Sequence, residues 1–395
     1  MRKLLVLGAG VYQLPVIQRA RQMGLEVVVC SRPGPYPGLE EADRFHPVDT
    51  TDRERCLEVA HREKVDGVLS PGSDVAMVTL GTIADALGLP GPSAAAALTA
   101  SDKGAMKAAF EASGVPTPAA RLVDSLEHAS GVADTIGWPL MLKVVDSSGS
   151  RGVIRVDDPD ALPSAYQSCR AATRARHLLV EQHIEGEEFG AQAFVLDGKL
   201  VFTMPHGDVI RTTSRASVPV GHYVPFELTA NVERQVHSAV EACVAALGVD
   251  NCALNFDFML RGQELFVLEV GARSGATCLA EMVSAHYGVD YYEFMIRAAL
   301  GERPAAPFSP GRAVAASLLI SDRAGVLART PIHPTDGDIT EFRFDYALGD
   351  HIPRFEVGPD RVGHVVVTGP SVEHARSRLD SILTNVHLEF VPEER

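Results

Sequence analysis

Residues 253–273 read ALNFDFMLRGQELFVLEVGAR, and this stretch predicts two β-strands joined by a tight turn. Apolar side chains dominate Ala253–Leu260 and Leu265–Val270, which we predict as the strands. The polar, glycine-containing segment between them, residues 261–263, supplies the turn. The sequence therefore predicts a hairpin of two adjacent strands at this point in the chain.

Each predicted strand carries one acidic residue. Because side chains alternate along a strand, Asp257 lies on the opposite face from Phe256 and Phe258. Asp257 and Glu269 lie on adjacent strands, where facing carboxylates repel each other unless a cation joins them. Hard oxygen ligands near phosphate groups select Mg²⁺. A cation site is one interpretation, and a pair of solvent-facing acids on an amphipathic hairpin is the other.

A candidate phosphate site precedes this hairpin in the chain. Lys143 lies near the end of the predicted strand Leu140–Val145, and residues 146–153 (DSSGSRGV) follow it. A Ser/Gly-rich turn exposes backbone N–H groups and hydroxyls without bulky side chains, so it can wrap a phosphate. A lysine on the preceding strand adds a positive charge to the same phosphate. A simple hairpin loop beside a surface lysine explains these residues equally well.

Acidic residues also mark the end of another predicted strand. The strand Leu178–Ile184 contains Glu181, and the acidic cluster 185–188 (EGEE) follows it. A lysine, a Ser/Gly-rich loop, a strand-end acid, paired carboxylates and Arg273 therefore follow one another in one direction along the chain. This order is more informative than any of its parts alone.

The overall composition is that of a soluble globular protein. The chain has 395 residues, of which 46% are hydrophobic and 22% charged, and its formal net charge is −15. Since an acidic surface repels nucleic-acid phosphate and anionic lipid, we expect neither nucleic acid nor membrane as a partner. No apolar run approaches the length of a membrane span. The six cysteines include no Cys-x-x-Cys pair, which predicts reduced core thiols in a cytoplasmic protein.

The chain divides into three predicted regions. Alternating strand and helix patterns over residues 1–92 predict a parallel sheet covered by helices. A second region covers residues 93–303, with a subdomain at about 115–205. A Pro/Gly-rich linker then leads into a mixed α+β region at residues 304–395. Within these regions, Asp197-Gly198 predicts a hairpin turn and Ser371 predicts a helix N-cap.

The first predicted strand, Lys3–Leu7, runs into Gly8-Ala9-Gly10. A dinucleotide-binding fingerprint would place a third glycine at position 13, where this chain has Gln13. We therefore favour a strand-to-helix turn with a close backbone approach over a nucleotide-binding loop. A dinucleotide-dependent oxidoreductase stays open on this loop alone.

The combination of Lys143, the 146–153 loop, Glu181, the Asp257–Glu269 pair and Arg273 resembles the ATP-grasp superfamily of carboxylate–amine and carboxylate–thiol ligases. The resemblance covers nearly the whole chain and includes biotin carboxylase, purine-pathway ligases and L-amino acid ligases. It implies an α/β ATP-grasp fold. The N-terminal parallel α/β domain would precede two α+β subdomains that grip ATP, and a small C-terminal α+β domain would follow.

The resemblance also implies roles for individual residues, with ATP bound together with Mg²⁺ or Mn²⁺. The residues at the phosphates, the metal and the phosphorylated intermediate would be Lys103, Lys143, Asp257, Glu269 and Arg273. A loop closing over the β- and γ-phosphates would comprise Ser147, Ser148, Gly149, Ser150, Gly152 and Val153. The nucleoside would contact Glu181, Gln182 and Ile184 at the adenine and Glu188 at the ribose.

One position departs from the family pattern. Many members read Glu-x-Asn-x-Arg at the metal site, with the Asn as a further ligand, whereas this chain has Gly271 between Glu269 and Arg273. Gly271 has no side chain that could coordinate a metal. Weaker metal binding, substitution by Asn255 or water, and a degenerate site are the alternatives. Because two carboxylates are retained, we expect an active enzyme.

Residues that recognise the substrates are less evident. The segment 206–215 is rich in groups that bind carboxylates, and either Arg211 or Arg215 is a candidate for orienting an acid substrate. An exposed polar loop is the alternative for this segment. Residues 274–277 predict the start of a helix whose N–H groups face an anion, or a simple helix cap.

These features lead to one principal hypothesis for function. We predict an ATP-dependent ligase that joins a small carboxylic acid to an amine through an acyl phosphate, with Lys143, Arg211 and Arg273 at the reacting groups and amino acids favoured as substrates. One alternative is a purine-pathway-like enzyme that phosphorylates bicarbonate or formate, and another is a noncatalytic nucleotide-binding protein. Relatives with this layout are often dimers, which leaves a homodimer open.

Overall fold

The computed structural model describes residues 1–146, 152–214, 217–305, 308–309, 311–331 and 337–391. The N-terminal elements are β1 (Lys3–Leu7), α1 (Leu14–Gln22), β2 (Glu26–Ser31), β3 (Arg44–Pro47), α2 (Arg53–Glu63), β4 (Gly67–Leu69), α3 (Met77–Leu87) and α4 (Ala94–Ser101). Their strands form a parallel sheet in the order β3-β2-β1-β4. This confirms the parallel α/β arrangement predicted for the N-terminal region.

A second, antiparallel sheet follows in the chain. Its region contains α5 (Lys103–Ser113), β5 (Ala120–Val123), α6 (Leu126–Ile136), β6 (Leu140–Val144), β7 (Val153–Val156), α7 (Leu162–Ala172) and β8 (Leu178–Gln182). The strand order is β5-β8-β6-β7, with α6 and α7 packed against the sheet. Lys143 on β6 and Glu181 on β8 therefore lie on adjacent strands.

The next region contributes most of a large sheet. Its elements are β9 (Glu187–Leu196), β10 (Lys199–Thr212), β11 (Ser217–Val224), α8 (Ala230–Leu247), β12 (Cys252–Arg261), β13 (Glu264–Gly271), α9 (Leu279–Tyr287) and α10 (Tyr291–Ala299). The predicted hairpin of β12 and β13 is confirmed. The Asp197-Gly198 turn is confirmed as well, and both residues adopt left-handed backbone angles, with φ of 52° and 70°.

The C-terminal strands continue the same large sheet. They are β14 (Ala313–Leu319), β15 (Gly325–Arg329), β16 (Ile339–Phe344), β17 (His351–Ile352), β18 (Gly363–Gly369) and β19 (Glu389–Phe390), with α11 (Val372–Asn385) between the last two. The described order is β13-β12-β9-β10-β11-β14-β18-β16, and β17, β15 and β19 form a small separate sheet. The predicted N-cap of α11 is confirmed, because the Ser371 hydroxyl accepts from the His374 N–H.

Side chains along β12 alternate between the buried core and the open face of the sheet. Leu254, Phe256 and Phe258 are fully buried in a core with α5 and α8. Asn255 and Asp257 point to the opposite face of the sheet, where they are only partly covered. Packing on the apolar side of this sheet therefore holds the strands in place, and the side chains on its polar side remain accessible to a ligand.

Two local expectations about the substrate segments were wrong. Residues 206–212 are not a loop, because β10 continues past its pairing with β9 and pairs over 207–212 with β11. Residues 274–277 do not begin a helix, since α9 starts at Leu279 after an irregular segment. In that segment Thr277 and Cys278 both have positive φ, 54° and 66°, so the helical backbone begins only after Cys278, the N-cap of α9.

The remaining fold expectations concern membranes and thiols. None of the helices in the described ranges combines the length and the apolar character needed to cross a bilayer. All six cysteines are buried and unpaired. Burial raises the pKa of Cys169 to about 11, which keeps this thiol protonated at neutral pH.

Candidate active site

The two predicted metal carboxylates lie side by side. The register of β12 and β13 places Asp257 opposite Glu269, and that of β9 places Gly190 opposite Asp257 on its other side. Asn255 donates from Nδ2 to Asp257 Oδ1 at 3.3 Å, while its Oδ1 accepts from Gln192 at 2.6 Å. The amide oxygen of Asn255 is therefore already engaged, which makes it a weak substitute for a missing metal ligand.

Negative charge accumulates around Asp257. Burial raises the pKa of Asp257 to about 7, and repulsion from Glu269 adds to this. Asp208 and Glu188 raise it further. Glu188 is exposed, yet its own pKa is raised by the surrounding protein and by Asp208. A cluster of carboxylates in which one holds a proton near neutral pH is short of positive charge, and a hard divalent cation is the ligand that would supply it.

Lys103 brings one positive charge to this cluster. Asp102 caps α5 by accepting from the Ala105 N–H at 2.8 Å, so Lys103 is the first residue of the helix. The Lys103 Nζ lies 2.7 Å from Glu269 Oε1, and the side chain is nearly buried. The sequence pair Asp102-Lys103 thus starts a helix and aims its lysine at the paired carboxylates.

A second charged group joins α5 to the four-stranded sheet. Glu181 is 1% exposed and contacts both Lys143 and Lys107, with Lys107 Nζ at 2.7 Å. Burial opposes the charge on Glu181, but the two lysines outweigh it and lower the pKa of this carboxyl. Burial also opposes the charge on Lys143, but Glu181 outweighs it and raises the pKa of this lysine. Glu269 and Glu188 act on Lys143 in the same direction, so the two sheets face one cleft.

Lys107 is a charged residue of this cleft that the sequence motifs did not predict. Burial lowers its pKa despite the neighbouring Glu181, and its Nζ also donates to the Thr117 hydroxyl at 2.6 Å. The sequence indicates this residue only indirectly. Lys107 lies between Met106 and Phe110, on the buried face of α5. A charged residue on the buried face of a helix requires a partner.

The other residues assigned to nucleotide binding lie around Lys143 and Glu181. Gly152 and Val153 lead into β7, where Val153 pairs with Lys143. Gln182 ends β8 half-buried, and Ile184 is buried just beyond it. Ser147, Ser148, Gly149 and Ser150 lie outside the described residues, as does Arg215.

Arg273 is held by a residue from the N-terminal region. Its Nε and Nη2 donate to the two oxygens of Asp74 at 2.8 and 2.9 Å. Burial opposes the charge of Arg273, but Asp74 outweighs it and raises the pKa of the guanidinium. Asp74 lies in the loop after β4 and carries no sequence signal beyond being acidic at the carboxyl end of a parallel strand.

The same pair explains Gly271. A Cβ at this position would lie 3.1 Å from Asp74 Oδ1 and 3.4 Å from Arg273 Cζ. Asp74 therefore occupies the space that a side chain at position 271 would enter. The departure from the family pattern is matched by an acidic side chain that reaches the same place from another part of the chain.

A further cluster lies on the same sheet, on β10 and β11. His206 Nδ1 and His222 Nδ1 lie 2.9 and 2.6 Å from the same Asp208 oxygen. Burial opposes the charge of Asp208, but both histidines outweigh it and hold the pKa of this carboxyl well below its usual range. The His206 ring lies over Gly190, where a Cβ would come within 2.3 Å of it. One ligand atom from each of His206, Asp208 and His222 lies within 4.8 Å of the others, a spacing that could hold a metal ion.

Arg211 lies toward the end of β10 and forms an ion pair with Asp322, which itself is exposed.

The Gly8-Ala9-Gly10 loop is filled by the chain's own Gln13. Its Oε1 accepts from the Gly10 N–H at 3.0 Å and its Nε2 donates to the Pro71 carbonyl at 2.6 Å. The Gln13 side chain therefore takes the place in this loop that a dinucleotide phosphate would occupy. The oxidoreductase alternative, which rested on this loop alone, loses its basis.

Comparisons with known proteins agree with this geometry. Residues 136–281 match the family model of the ATP-grasp domain, and residues 17–91 match that of the ATP-grasp N-terminal domain. Residues 317–391 match the L-amino acid ligase C-terminal domain 2. The three matches follow the order of the three predicted regions.

Individual relatives carry several different names. A formate-dependent phosphoribosylglycinamide formyltransferase of Synechococcus sp. is 25% identical, with 98% of each chain covered. The solved phosphoribosylglycinamide synthetase from Anaerococcus prevotii is 29% identical, with a TM-score of 0.86 over 99% of this chain and 100% of that one. An L-amino acid ligase from Bacillus licheniformis is 18% identical with a TM-score of 0.79, over 99% of each chain, which shows a shared fold.

We expect Gly271→Asn to impair catalysis because its side chain would displace Asp74 from Arg273. A misplaced group at a reacting centre typically costs on the order of 10–100-fold in kcat/KM. Gly271→Ala is the matched control and should cost less, since its Cβ needs the neighbours to move only slightly. Steady-state kinetics together with the melting temperature check this, and wild-type kcat/KM in a folded Gly271→Asn variant would contradict it.

We also expect Mg²⁺ binding to depend on pH. The metal requires ionised Asp257, whose pKa of about 7 lies well above that of an unfolded chain, so protons compete with the metal below this pH. The apparent affinity should fall about tenfold from pH 8 to pH 6. Calorimetric titration with Mg²⁺ measures it. Asp257→Asn should abolish the pH dependence and Glu269→Ala should remove binding, whereas equal affinity at both pH values would refute the assignment.

Proposed function

This chain belongs to the ATP-grasp superfamily of ATP-dependent carboxylate–amine ligases, and on that premise we propose that it joins a small carboxylic acid to an amine by an amide bond. One observation carries the proposal. The polar face of the large sheet brings together the Asp257–Glu269 pair, Lys103 and Arg273. The Lys143–Glu181 pair of the four-stranded sheet lies opposite them. Such an arrangement suits the neutralisation of a transferring phosphoryl group.

ATP would bind between the two sheets. We assign Lys103 and Lys143 to its phosphates, with residues 147–153 closing over them. The adenine would contact Glu181 and the backbone of Gln182 and Ile184, and the ribose would contact Glu188. The paired contacts of Glu181 with Lys143 and Lys107 support this, because they place hydrogen-bond donors and a buried acceptor together on one side of the cleft.

The paired carboxylates fit a divalent metal. Asp257 and Glu269 face each other across adjacent strands, and the raised pKa of Asp257 shows that the chain does not fully balance their charge. Mg²⁺, or Mn²⁺ in its place, would neutralise phosphate charge when bound between these residues. Asp74 and Asn255 lie beside the pair and are engaged with Arg273 and Gln192, so they would orient the site rather than complete it.

The reaction would proceed in two steps. An oxygen of the substrate carboxylate attacks the γ-phosphorus of ATP, the bond to the β-phosphate oxygen breaks, and ADP leaves. The amine nitrogen then attacks the acyl carbon, phosphate leaves and the nitrogen loses a proton. Arg273, fixed by Asp74, would meet the charge of the acyl phosphate. Arg211 is a second candidate for orienting the acid substrate.

The family likeness leaves two classes of amine open. The match of residues 317–391 to an L-amino acid ligase domain favours an amino acid. The names of the formyltransferase and synthetase relatives favour an aminoribonucleotide, and the first of these names also favours formate as the acid. We favour amide formation between amino acids on the basis of that domain match. The noncatalytic alternative is no longer needed, since Asp74 and Arg273 account for Gly271 and the relatives named are enzymes.

We expect ADP release that requires ATP, Mg²⁺ and a pair of substrates. The assay tests single and paired L-amino acids, with separate wells for formate or bicarbonate plus glycinamide ribonucleotide. Release that depends on an acid and an amine amino acid would support the amide ligase. Release only with the ribonucleotide would establish the second candidate instead, and ATP binding without release in any well would contradict both.

Lys143→Ala should lower ATP turnover by about 10²–10³-fold, because one phosphate cation is lost and the buried Glu181 keeps only Lys107 as its partner. The exposed Lys199, on the β9–β10 hairpin, provides the matched control Lys199→Ala, which should turn over like wild type. ADP release at saturating substrates measures both variants. Unchanged release by a folded Lys143→Ala variant would remove the phosphate-lysine assignment.

A further inference from the structure

Two side-chain amides form a hydrogen-bonded relay beside the paired carboxylates. Gln192 on β9 is fully buried, and the register of β9 and β12 places it opposite Asn255. Gln192 Nε2 donates to Asn255 Oδ1 at 2.6 Å, and Asn255 Nδ2 donates to Asp257 Oδ1 at 3.3 Å. The relay therefore connects the interior of the protein to one of the two candidate metal ligands.

Two backbone groups fix the direction in which this relay runs. The Gly275 N–H can only donate, and it donates to Gln192 Oε1 at 2.8 Å. The Ala191 carbonyl can only accept, and it lies 3.4 Å from Gln192 Nε2. A reversed Gln192 amide would set N–H against N–H at Gly275 and oxygen against oxygen at Ala191. Because a buried polar group without a partner is costly, the backbone holds the Gln192 amide in one orientation.

The orientation of Gln192 in turn fixes the orientation of Asn255. Since Gln192 presents an N–H, Asn255 presents its oxygen to Gln192 and its own N–H to Asp257. That N–H holds Asp257 Oδ1, whereas Asp257 Oδ2 accepts no hydrogen bond from the residues that the structure describes. One oxygen of Asp257 is therefore held by the chain, and the other is left for a cation.

The backbone at residue 275 comes unusually close to the relay. A Cβ at Gly275 would lie 2.7 Å from Asn255 Oδ1 and 2.9 Å from Gln192 Nε2, the two atoms of the central hydrogen bond. The N–H that directs Gln192 can approach this closely because residue 275 is glycine. Since residue 275 lies two positions after Arg273, the relay also links the segment that carries this arginine to β12.

We propose that Gln192 is a positioning residue of the metal site, which acts through Asn255 to hold Asp257 with Oδ2 free for the cation, and that Asn255 is not itself a metal ligand. This inference rests on the proposed function, because it takes Asp257 and Glu269 as ligands of Mg²⁺ or Mn²⁺. Neither position 255 nor position 271 then supplies the amide oxygen of the family pattern. Oxygen atoms of phosphate and water complete the coordination instead.

The affinity of the full-length chain for Mn²⁺ alone tests the relay, and the EPR signal of free Mn²⁺ measures it. Residues that orient a metal ligand typically contribute about 10–100-fold to metal affinity. We expect Gln192→Met and Asn255→Ala each to weaken binding about tenfold. The double variant should bind no more weakly than Asn255→Ala, since both residues act through one hydrogen bond to Asp257.

A matched control removes a glutamine hydrogen bond elsewhere. Gln235 on α8 donates to the Gln263 carbonyl at 2.9 Å, and Gln235→Met should bind Mn²⁺ like the wild type. The melting temperature shows whether each variant is folded. Wild-type affinity in folded Gln192→Met would overturn the proposal, and so would a double variant weakened by the product of the two single effects.

A second measurement separates positioning from direct coordination. The water molecules on bound Mn²⁺ are counted by electron spin echo modulation in deuterated water. We expect the same number in the wild type and in Asn255→Ala, because Asn255 provides no ligand. One additional water in Asn255→Ala would identify Asn255 as a ligand and refute the proposal. This comparison decides the question if Gln192→Met does not fold, since Asn255 is only half-buried.

The metal assignment within the proposed function is tested by the wild-type chain itself. If Mn²⁺ does not bind in a way that depends on Glu269, that assignment fails whatever the variants show. The relay is then decided in metal-free protein by NMR, through hydrogen exchange of the Asn255 side-chain amide. We expect Gln192→Met to speed this exchange about tenfold, because the amide is no longer held in one orientation. Equal exchange in both proteins would contradict the relay.

Discussion

The site depends on two carboxylates that the sheet register holds opposite each other, Asp257 on β12 and Glu269 on β13. Two like charges about 4 Å apart repel by ~1 kcal/mol in water and ~4 kcal/mol near a protein surface. The fully buried Phe256 and Phe258 hold β12 in place despite this repulsion. Lys103 and Arg273 offset part of the charge, and the pKa of about 7 for Asp257 shows that they do not offset all of it. The fold thus holds a pair of carboxylates with part of its charge unbalanced, which is why we propose it as the Mg²⁺ site.

Contacts between regions set the geometry around that pair. Asp74, from the loop after β4, holds Arg273 by two hydrogen bonds, and it does so through space that exists because residue 271 is glycine. Lys107 on α5 and Lys143 on β6 share Glu181 on β8. Each cationic group that would meet a phosphate is therefore positioned by an acidic partner from a different element. A change at one of these contacts would alter the site without removing any of its reacting groups.

The sequence by itself determined the parallel N-terminal sheet, the β12–β13 hairpin and the pairing of Asp257 with Glu269, because strand alternation and turn residues act over short distances. The order of motifs also marked Lys143, and the family resemblance marked Lys103. The sequence did not determine Asp74 or Lys107 as site residues, nor that 206–212 would extend β10 and 274–278 would remain irregular. Only the tertiary structure decided the two site residues, since each depends on a partner far away in the chain: Arg273 for Asp74 and Glu181 for Lys107. Local patterns specify which face a side chain takes, whereas the charge that it meets there is set by long-range packing.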